Sequence, residues 1–274
     1  LIDYGCATIN GRPVEEPGAL VRPGDKILLR FELQRRYREK PIVPRERGFH
    51  VVFEDAHLIV VDKAAGLLTV PTNQGGGRSL VDGLWFHLSR DLRPDMRPAV
   101  VHRLDQWTSG LLVFGKNGRV ASALQDQLRL RKPQREYQAL IAGQLREEEG
   151  TFRSFLATHD NLNRYSTDDP EEGEEAVTHF SVLDRLPEVT LVQVRLETGR
   201  RHQIRIHFAE IGHPVLGEDR YQSVLARHPA WRGKRLALHA ALLAFTHPVT
   251  GEELRFESPM PEVFQHFLRA VRVG

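Results

Sequence analysis

The chain has 274 residues, 41% of them apolar, and a formal net charge of +2. That length suits one medium domain, alone or with a small appendage, and the apolar share is enough for a true core. No apolar run reaches the length of a membrane span and no signal peptide is visible, while a single cysteine, Cys6, excludes an internal disulfide and a cysteine-based zinc site. One cysteine fits a reducing cytoplasm. The first residue is Leu1 and not Met, so the numbered chain is expected to start inside a longer protein.

A net charge this small does not announce a nucleic-acid binder, but the arginines are clustered. They gather at Arg35, Arg36, Arg38, Arg45 and Arg47, again at Arg129, Arg131 and Arg135, and again at Arg195, Arg200, Arg201 and Arg205. Such clusters, separated by acidic stretches, could form one basic face for RNA; a solvated surface of mixed charge is the plainer alternative.

Residues 1–31 form a small β-rich piece. Ala7-Thr8-Ile9 and Arg12-Pro13-Val14 flank an Asn10-Gly11 turn, and Pro23-Gly24-Asp25 leads into a strand over Lys26 to Leu29. This piece resembles the C-terminal half of an S4-like RNA-binding domain, reduced to a remnant; an ordinary hairpin appendage would read the same way. Residues 32–48 hold the first basic cluster with Pro41 and Pro44 and read as a linker.

The main domain is expected over 49–274. His50 to Asp55 and Leu58 to Lys63 are two strands around a turn, and Lys63-Ala64-Ala65-Gly66 opens a loop ending near Pro71. Gly75-Gly76-Gly77-Arg78 lacks the Gly-Lys-Ser/Thr ending of a phosphate-binding loop and reads as a flexible connection. Ser79 caps a helix to about Leu88, and Arg119 to Leu130 is amphipathic at helical spacing.

Between those helices lies the stretch that carries the chemistry, Val101 to Phe114, in which His102, Arg103 and Asp105 fall within four residues, ahead of Thr108-Ser109-Gly110 and an apolar run. A loop at the entrance of a rigid strand is a good place for a reactive group. Asp105 is a candidate nucleophile or base; the structural alternative has it capping the turn through Thr108 or Ser109 and pairing with Arg103.

Further on, Arg135 to Gly143 alternates as a strand, residues 160–175 read as a polar loop ending in the acidic run Asp168 to Glu175, and Ala176 to Phe180 reads as a strand. The acidic run repels phosphate, so it should face away from RNA, or mimic or exclude it. Leu191 to Leu196 is a strand that delivers Thr198-Gly199-Arg200-Arg201-His202-Gln203-Ile204-Arg205, and Ile204, Phe208 and Ile211 continue as a helix stopped by Gly212. A basic strand-to-helix junction is a good anion site. His202 and His207, with His213 nearby, are spaced i, i+5 with no Glu between them, which does not make a zinc motif. Leu236 to Ala240 and Leu254 to Pro261 are later strand segments, and Glu262 to Val271 is a closing helix.

Three segments in this order resemble the RluA-type pseudouridine synthases. The central stretch matches that family's H-R-L-D-x-x-T-S-G-L-L at every specified position, and Thr198 to Arg205 matches T-G-R-x-H-Q-I-R in full. Arg135 to Gly143 is similar to K-x-Y-x-A-x-V-x-G, with Arg135 in place of Lys. Lys63 to Pro71 is similar to K-P-x-G-x-x-x-x-P but carries Ala64 where Pro is usual, and Glu175 stands where many relatives carry Lys. Gly212 to Tyr221 resembles G-x-P-I/V-x-G-D-x-x-Y, with Glu218 read as an extra carboxylate ahead of the expected Asp219.

The resemblance implies an α+β chain of pseudouridine synthase fold: a central, mixed, mostly antiparallel curved sheet flanked by helices, with the cleft across its middle and the S4-like remnant in front. It implies a monomer acting on RNA, ribosomal RNA ahead of transfer RNA, with large-subunit RNA favoured by the S4-like piece. It makes Asp105 catalytic, pairs Arg205 with it, and lays Tyr137 over the target base. Arg103 would fill the gap left by a flipped nucleotide. Arg200 would meet phosphate or ribose, and His102, Thr108, His202 and Gln203 complete the expected RNA-contacting set. No metal or redox cofactor is needed, because uracil carries its own leaving and attacking atoms. Two other classes compete. A binding module without catalysis would lack Asp105, Tyr137 or Arg205, and all three are present; a glycosidase-like hydrolase needs two opposed carboxylates, and the motifs supply one.

Overall fold

The computed structural model describes residues 7–14, 20–29, 48–72, 79–89, 98–159, 164–232 and 235–273. Cys6, the basic stretch Arg35 to Arg47, the Gly75 to Arg78 loop and Pro94 lie outside the described residues. The chain divides into two units, Leu1–Arg47 and Gly48–Gly274.

In the first unit, β1 (Ala7–Ile9), β2 (Arg12–Pro13) and β3 (Ile27–Leu29) form an antiparallel sheet in the order β2-β1-β3. Asn10 and Gly11 both have positive φ, 53° and 80°, as the tight turn of a two-residue hairpin requires. The Asn10 amide then donates to Asp25 and accepts from the Lys26 N–H, which ties the hairpin to the turn before β3.

The second unit runs β4 (Phe49–Glu54), β5 (Leu58–Lys63), α1 (Leu80–Leu88), β6 (Ala99–Val100), β7 (Ser109–Gly115), α2 (Gly118–Arg129), β8 (Gln134–Ala142), β9 (Glu149–Thr158), β10 (Arg164–Thr167), β11 (Glu174–Leu186), β12 (Val189–Leu196), α3 (Gln203–Glu210), β13 (Leu238–Thr246), β14 (Glu253–Glu257) and α4 (Glu262–Val273). Its strands make one sheet in the order β10-β9-β11-β12-β8-β13-β7-β5-β4, with β14 added to β13 and β6 to β7. All pairings are antiparallel except β13 with β7, so the sheet is mixed and mostly antiparallel.

The helix ends follow from local chemistry. Ser79 and Asp82 form a reciprocal capping box at α1, and the Asn117 side chain accepts from the Val120 N–H at α2. Gly212, at φ 80°, closes α3: its N–H donates to Ala209 and the His213 N–H to Phe208, the paired bonds of a Schellman motif. One core joins α1, β8, β12, α3 and α4; a second, smaller one packs Val120 and Leu124 of α2 against Leu111, Val113, Leu243 and Phe245. Each fully buried Leu or Phe contributes about 1.5–3 kcal/mol, so these strands are rigid mounts for what hangs from their ends.

The parallel β7–β13 contact is the seam on which the Asp105 loop is hung. Gly110 has φ 115° there, and a Cβ on it would collide with the Ala240 backbone. The glycine of the Thr-Ser-Gly turn is therefore needed for strand approach. Beside it the Ser109 hydroxyl bonds His239 and receives the Arg235 guanidinium.

One expectation fails. The polar stretch 160–175 is not a loop throughout: Arg164–Thr167 is the edge strand β10, and Glu174 and Glu175 begin β11. Arg-Tyr-Ser-Thr shows no apolar alternation, and its strand is imposed by pairing with β9.

Candidate active site

Asp105 sits between two clamps supplied by the 63–69 loop. The Lys63 ammonium, at the end of β5 and fully buried, donates to the carbonyls of Ala64 (3.0 Å), Leu67 (2.9 Å) and Gln106 (3.1 Å). The Thr69 hydroxyl donates to the Leu104 carbonyl at 2.7 Å and accepts from the Leu104 N–H at 3.2 Å. The residues on either side of Asp105 are thus held through their backbone groups by the Lys63 and Thr69 side chains. Burial pulls the Lys63 pKa down to about 7, with the Asp105 charge opposing. The missing proline at Ala64 does not leave this loop loose, because Lys63 ties it at three points.

The Asp105 carboxylate does not cap its own turn. The turn closes through the Thr108 N–H and the Asp105 carbonyl, while Oδ2 of the side chain receives Nη1 of Arg205 at 3.0 Å. Arg205 projects from the first turn of α3 and is buried. Its Nε and Nη2 donate to the two oxygens of Glu218, each at 2.6 Å, and Asp219 lies 3.5 Å from Nη2. Burial would lower the Arg205 pKa, but Glu218 and Asp105 outweigh it and raise it. The guanidinium is therefore a permanent cation held between carboxylates. The Tyr221 ring stands 5.5 Å from it.

The carboxylate that clamps Arg205 is Glu218, with Asp219 mostly exposed, and this corrects the sequence reading of Glu218 as an added acid. Counting back from Tyr221, the acid of G-D-x-x-Y falls on position 218, so the signal was present and taking Asp219 as the expected acid is one residue out of register. Lys63 is the second site residue the sequence reading passed over; its motif position was the signal.

Tyr137, on β8 beside Val194 and Ala240, is 7% exposed. Burial raises its pKa, with Arg135 opposing and Asp105 adding, so the phenol keeps its proton at neutral pH. Its hydroxyl has no hydrogen-bond partner among the described residues. His202 precedes α3 in a left-handed conformation, φ 61°, with Nε2 3.7 Å from Asp105 Oδ1 and Nδ1 2.9 Å from the Tyr221 hydroxyl. Burial lowers its pKa to about 4, with the Asp105 charge opposing, so the ring is neutral at pH 7. The structure therefore brings Asp105, Arg205 and His202 together, with Tyr137 near enough to feel the Asp105 charge.

The other expected residues divide. Arg103 is exposed and pairs with no described residue. His102 accepts the Val113 N–H at 3.3 Å, and the packing around its ring pushes its pKa down to about 3. Thr108 is buried and its hydroxyl has no partner among the described residues. Gln203 is buried with both ends spent: its oxygen accepts from Thr198 and the Arg200 N–H, and its nitrogen donates to Val177 and Thr178. It pins the strand-to-helix junction and has no group left for RNA. Arg200 turns away to Glu174 (2.6 Å) and the Glu175 carbonyl (3.0 Å). His207 bonds Thr178 and Ser154, and His213 bonds the Ala142 carbonyl, so the three histidines serve separate elements.

A rigidly held carboxylate whose side chain is 25% exposed, beside a fixed cation and a neutral phenol, can attack an electrophilic carbon or remove a proton. No helix among the described residues is long and apolar enough to cross a membrane.

Residues 57–210 match the family model described as RNA pseudouridylate synthase. An uncharacterised RNA pseudouridine synthase of Bacillus subtilis is 33% identical over 270 residues, covering 98% of this chain and 86% of that protein. A protein of Xanthomonas campestris named ribosomal large subunit pseudouridine synthase D is 35% identical over 282 residues, covering 99% of this chain and 82% of that protein. Human RNA pseudouridylate synthase domain containing 4 shares the fold at a TM-score of 0.67 and 22% identity, covering 81% of this chain and 92% of that one. The motifs, the sheet and these likenesses agree: the chain belongs to the RNA pseudouridylate synthase family.

Proposed function

We propose that the protein isomerises specific uridines of large-subunit ribosomal RNA to pseudouridine, as a cytoplasmic monomer, with Asp105 acting at the ribose. The observation that carries the roles is the Asp105–Arg205 contact: a carboxylate on a pinned loop, aimed by a buried guanidinium, beside the protonated Tyr137. The RNA target is supported by relatives from several bacteria named for the ribosomal large subunit.

A stacked base cannot turn over, so the nucleotide first flips into the cleft, and the exposed Arg103 occupies the vacated space. Asp105 then either bonds C1′ as the N1–C1′ bond breaks or takes the 2′ proton; in both routes the base stays bound and turns. C5 joins C1′, releasing Asp105 or returning the 2′ proton. The C5 proton leaves and N1 is protonated, so atoms balance without a co-reactant. Tyr137 stacks on the base and passes on the C5 proton.

The test is primer extension on carbodiimide-treated RNA after unmodified ribosomal and transfer RNAs have met the protein or Asp105→Asn. Stops in large-subunit RNA that need Asp105 are the expected result. Stops confined to transfer RNA would move the target. Tight, salt-sensitive binding with no stops on any RNA would make the chain a binding module.

A further inference from the structure

Arg205 has five N–H donors, and Asp105 receives one of them. Glu218 takes the Nε and Nη2 edge with both its oxygens at 2.6 Å. A guanidinium and a carboxylate left alone favour the two-bond fork. Were a fork made with Asp105, each of its two oxygens would hold a guanidinium N–H and be less basic towards the ribose. In the structure Glu218 fixes the guanidinium by its Nε–Nη2 edge, and of the remaining N–H groups only one on Nη1 meets Asp105. Asp105 Oδ2 holds Nη1, and Oδ1 faces His202 at 3.7 Å, beyond hydrogen-bond range.

Glu218 is itself built in. Its side chain is fully buried, and Oε1 also accepts the N–H groups of Asp219 (3.0 Å), Arg220 (2.8 Å) and Tyr221 (3.4 Å). The segment before it is zipped onto β8: the Ala142 N–H donates to Pro214 and the Leu216 N–H to Leu140. The strand that carries Tyr137 therefore also sets where Glu218 stands, and through it where Arg205 and Asp105 stand.

We propose that Glu218 is a positioning residue that holds the Nε–Nη2 edge of Arg205, so that the guanidinium presents Nη1 alone to Asp105 and one Asp105 oxygen stays free for the ribose. This rests on the reading of Asp105 as the residue that acts there.

The experiment compares wild type, Glu218→Gln and Glu218→Asp in the whole chain, by crystal structure and by kcat and KM on the RNA. In Glu218→Gln, Arg205 should swing into a two-bond pair with Asp105. The kcat should then fall about a hundredfold, the cost of an ångström-scale misplacement, with KM little changed. Glu218→Asp keeps a carboxylate and should recover most of the lost kcat. The inference is overturned if Arg205 keeps its single bond to Asp105 in Glu218→Gln, or if the folded fraction of that variant works at the wild-type kcat. Should the Gln variant not fold, equal kcat and an unchanged Arg205 in Glu218→Ala, refolded at low temperature, would overturn it in the same way. A wild type inactive on every RNA would defeat the functional reading instead, and the Arg205 geometry in the variants would still decide the clamp.

Discussion

Two charged clusters in the same unit treat their arginines in opposite ways. The inner one, Asp105, Arg205 and Glu218, is closed from solvent on the Arg205 and Glu218 side, and each contact there has a single geometry. The outer one joins Arg131 to Glu175 and Glu197, Arg153 to Glu175, and Arg200 to Glu174, with side chains 32–59% exposed. One sequence motif feeds both, Arg205 to the first and Arg200 to the second. The contrast shows that burial, more than residue type, turns an ion pair into a device for aiming atoms. A buried charge without its partner costs several kcal/mol, whereas an exposed pair is worth about 0–1 kcal/mol and exchanges partners freely.

The largest effect should come from breaking the inner cluster at its centre. Arg205→Met leaves Glu218 buried and unpaired and Asp105 unaimed. It should lower stability by about 3–5 kcal/mol and abolish pseudouridine formation. Denaturant midpoints of wild type and variant give the first quantity and product assays the second. A midpoint shift no larger than that of an exposed pair would break the comparison.

Lys63 sharpens it from the side of the loop. Lys63→Met strands the Ala64 and Leu67 carbonyls, at about 1–3 kcal/mol, and leaves the Gln106 carbonyl with the Gly66 N–H alone. The pH dependence has a definite sign. The folded chain sheds this proton at about 7, against an ordinary 10.5. Between those values the unfolded chain holds one proton more, so stability rises with pH. Wild type should thus gain on Lys63→Met between pH 7 and pH 10, read from denaturant midpoints at pH 6.5 and 9.5.

Tyr137→Phe separates chemistry from packing. Since the hydroxyl has no partner among the described residues, stability should move by less than about 0.5 kcal/mol. Product formation should fall about a hundredfold, the lower range for a lost proton-transfer group. Unchanged product formation would leave Tyr137 a stacking surface only.

The inner cluster was legible because its residues lie in segments whose spacing is rigid. Asp105 follows His102 and Arg103 at a strand entrance, and Arg205 starts a helix whose apolar spacing and glycine stop are plain. The strands β5, β8 and β12 alternate or run apolar, and Ser79 marks α1. What could not be read was direction. Nothing in Thr-Gly-Arg-Arg-His-Gln-Ile-Arg says that Gln203 points into the core and Arg200 towards Glu174, since that depends on Val177, Thr178 and β11 arriving from 25 to 26 residues upstream. The same holds for β10, whose polar residues become a strand only by pairing with β9. The one-residue slip at Glu218 was avoidable, as Tyr221 fixes the count.

The smallest effect should lie in the outer cluster, where it discriminates most. Glu175 holds both Arg131 and Arg153. Glu175→Gln removes that charge at a surface, so stability should change by no more than about 1 kcal/mol. Arg153 then has no carboxylate to give up before meeting a phosphate, and Arg131 keeps only Glu197. If this patch contacts RNA, the variant should bind more tightly at low salt, and its affinity should fall more steeply with salt, because each added phosphate contact releases counterions. Filter-binding titrations over a range of salt read both effects. Unchanged binding and slope would place the acidic edge of β11 away from RNA, as the run of carboxylates before it suggests, and would leave the inner cluster as the only one of the two with a part in the reaction.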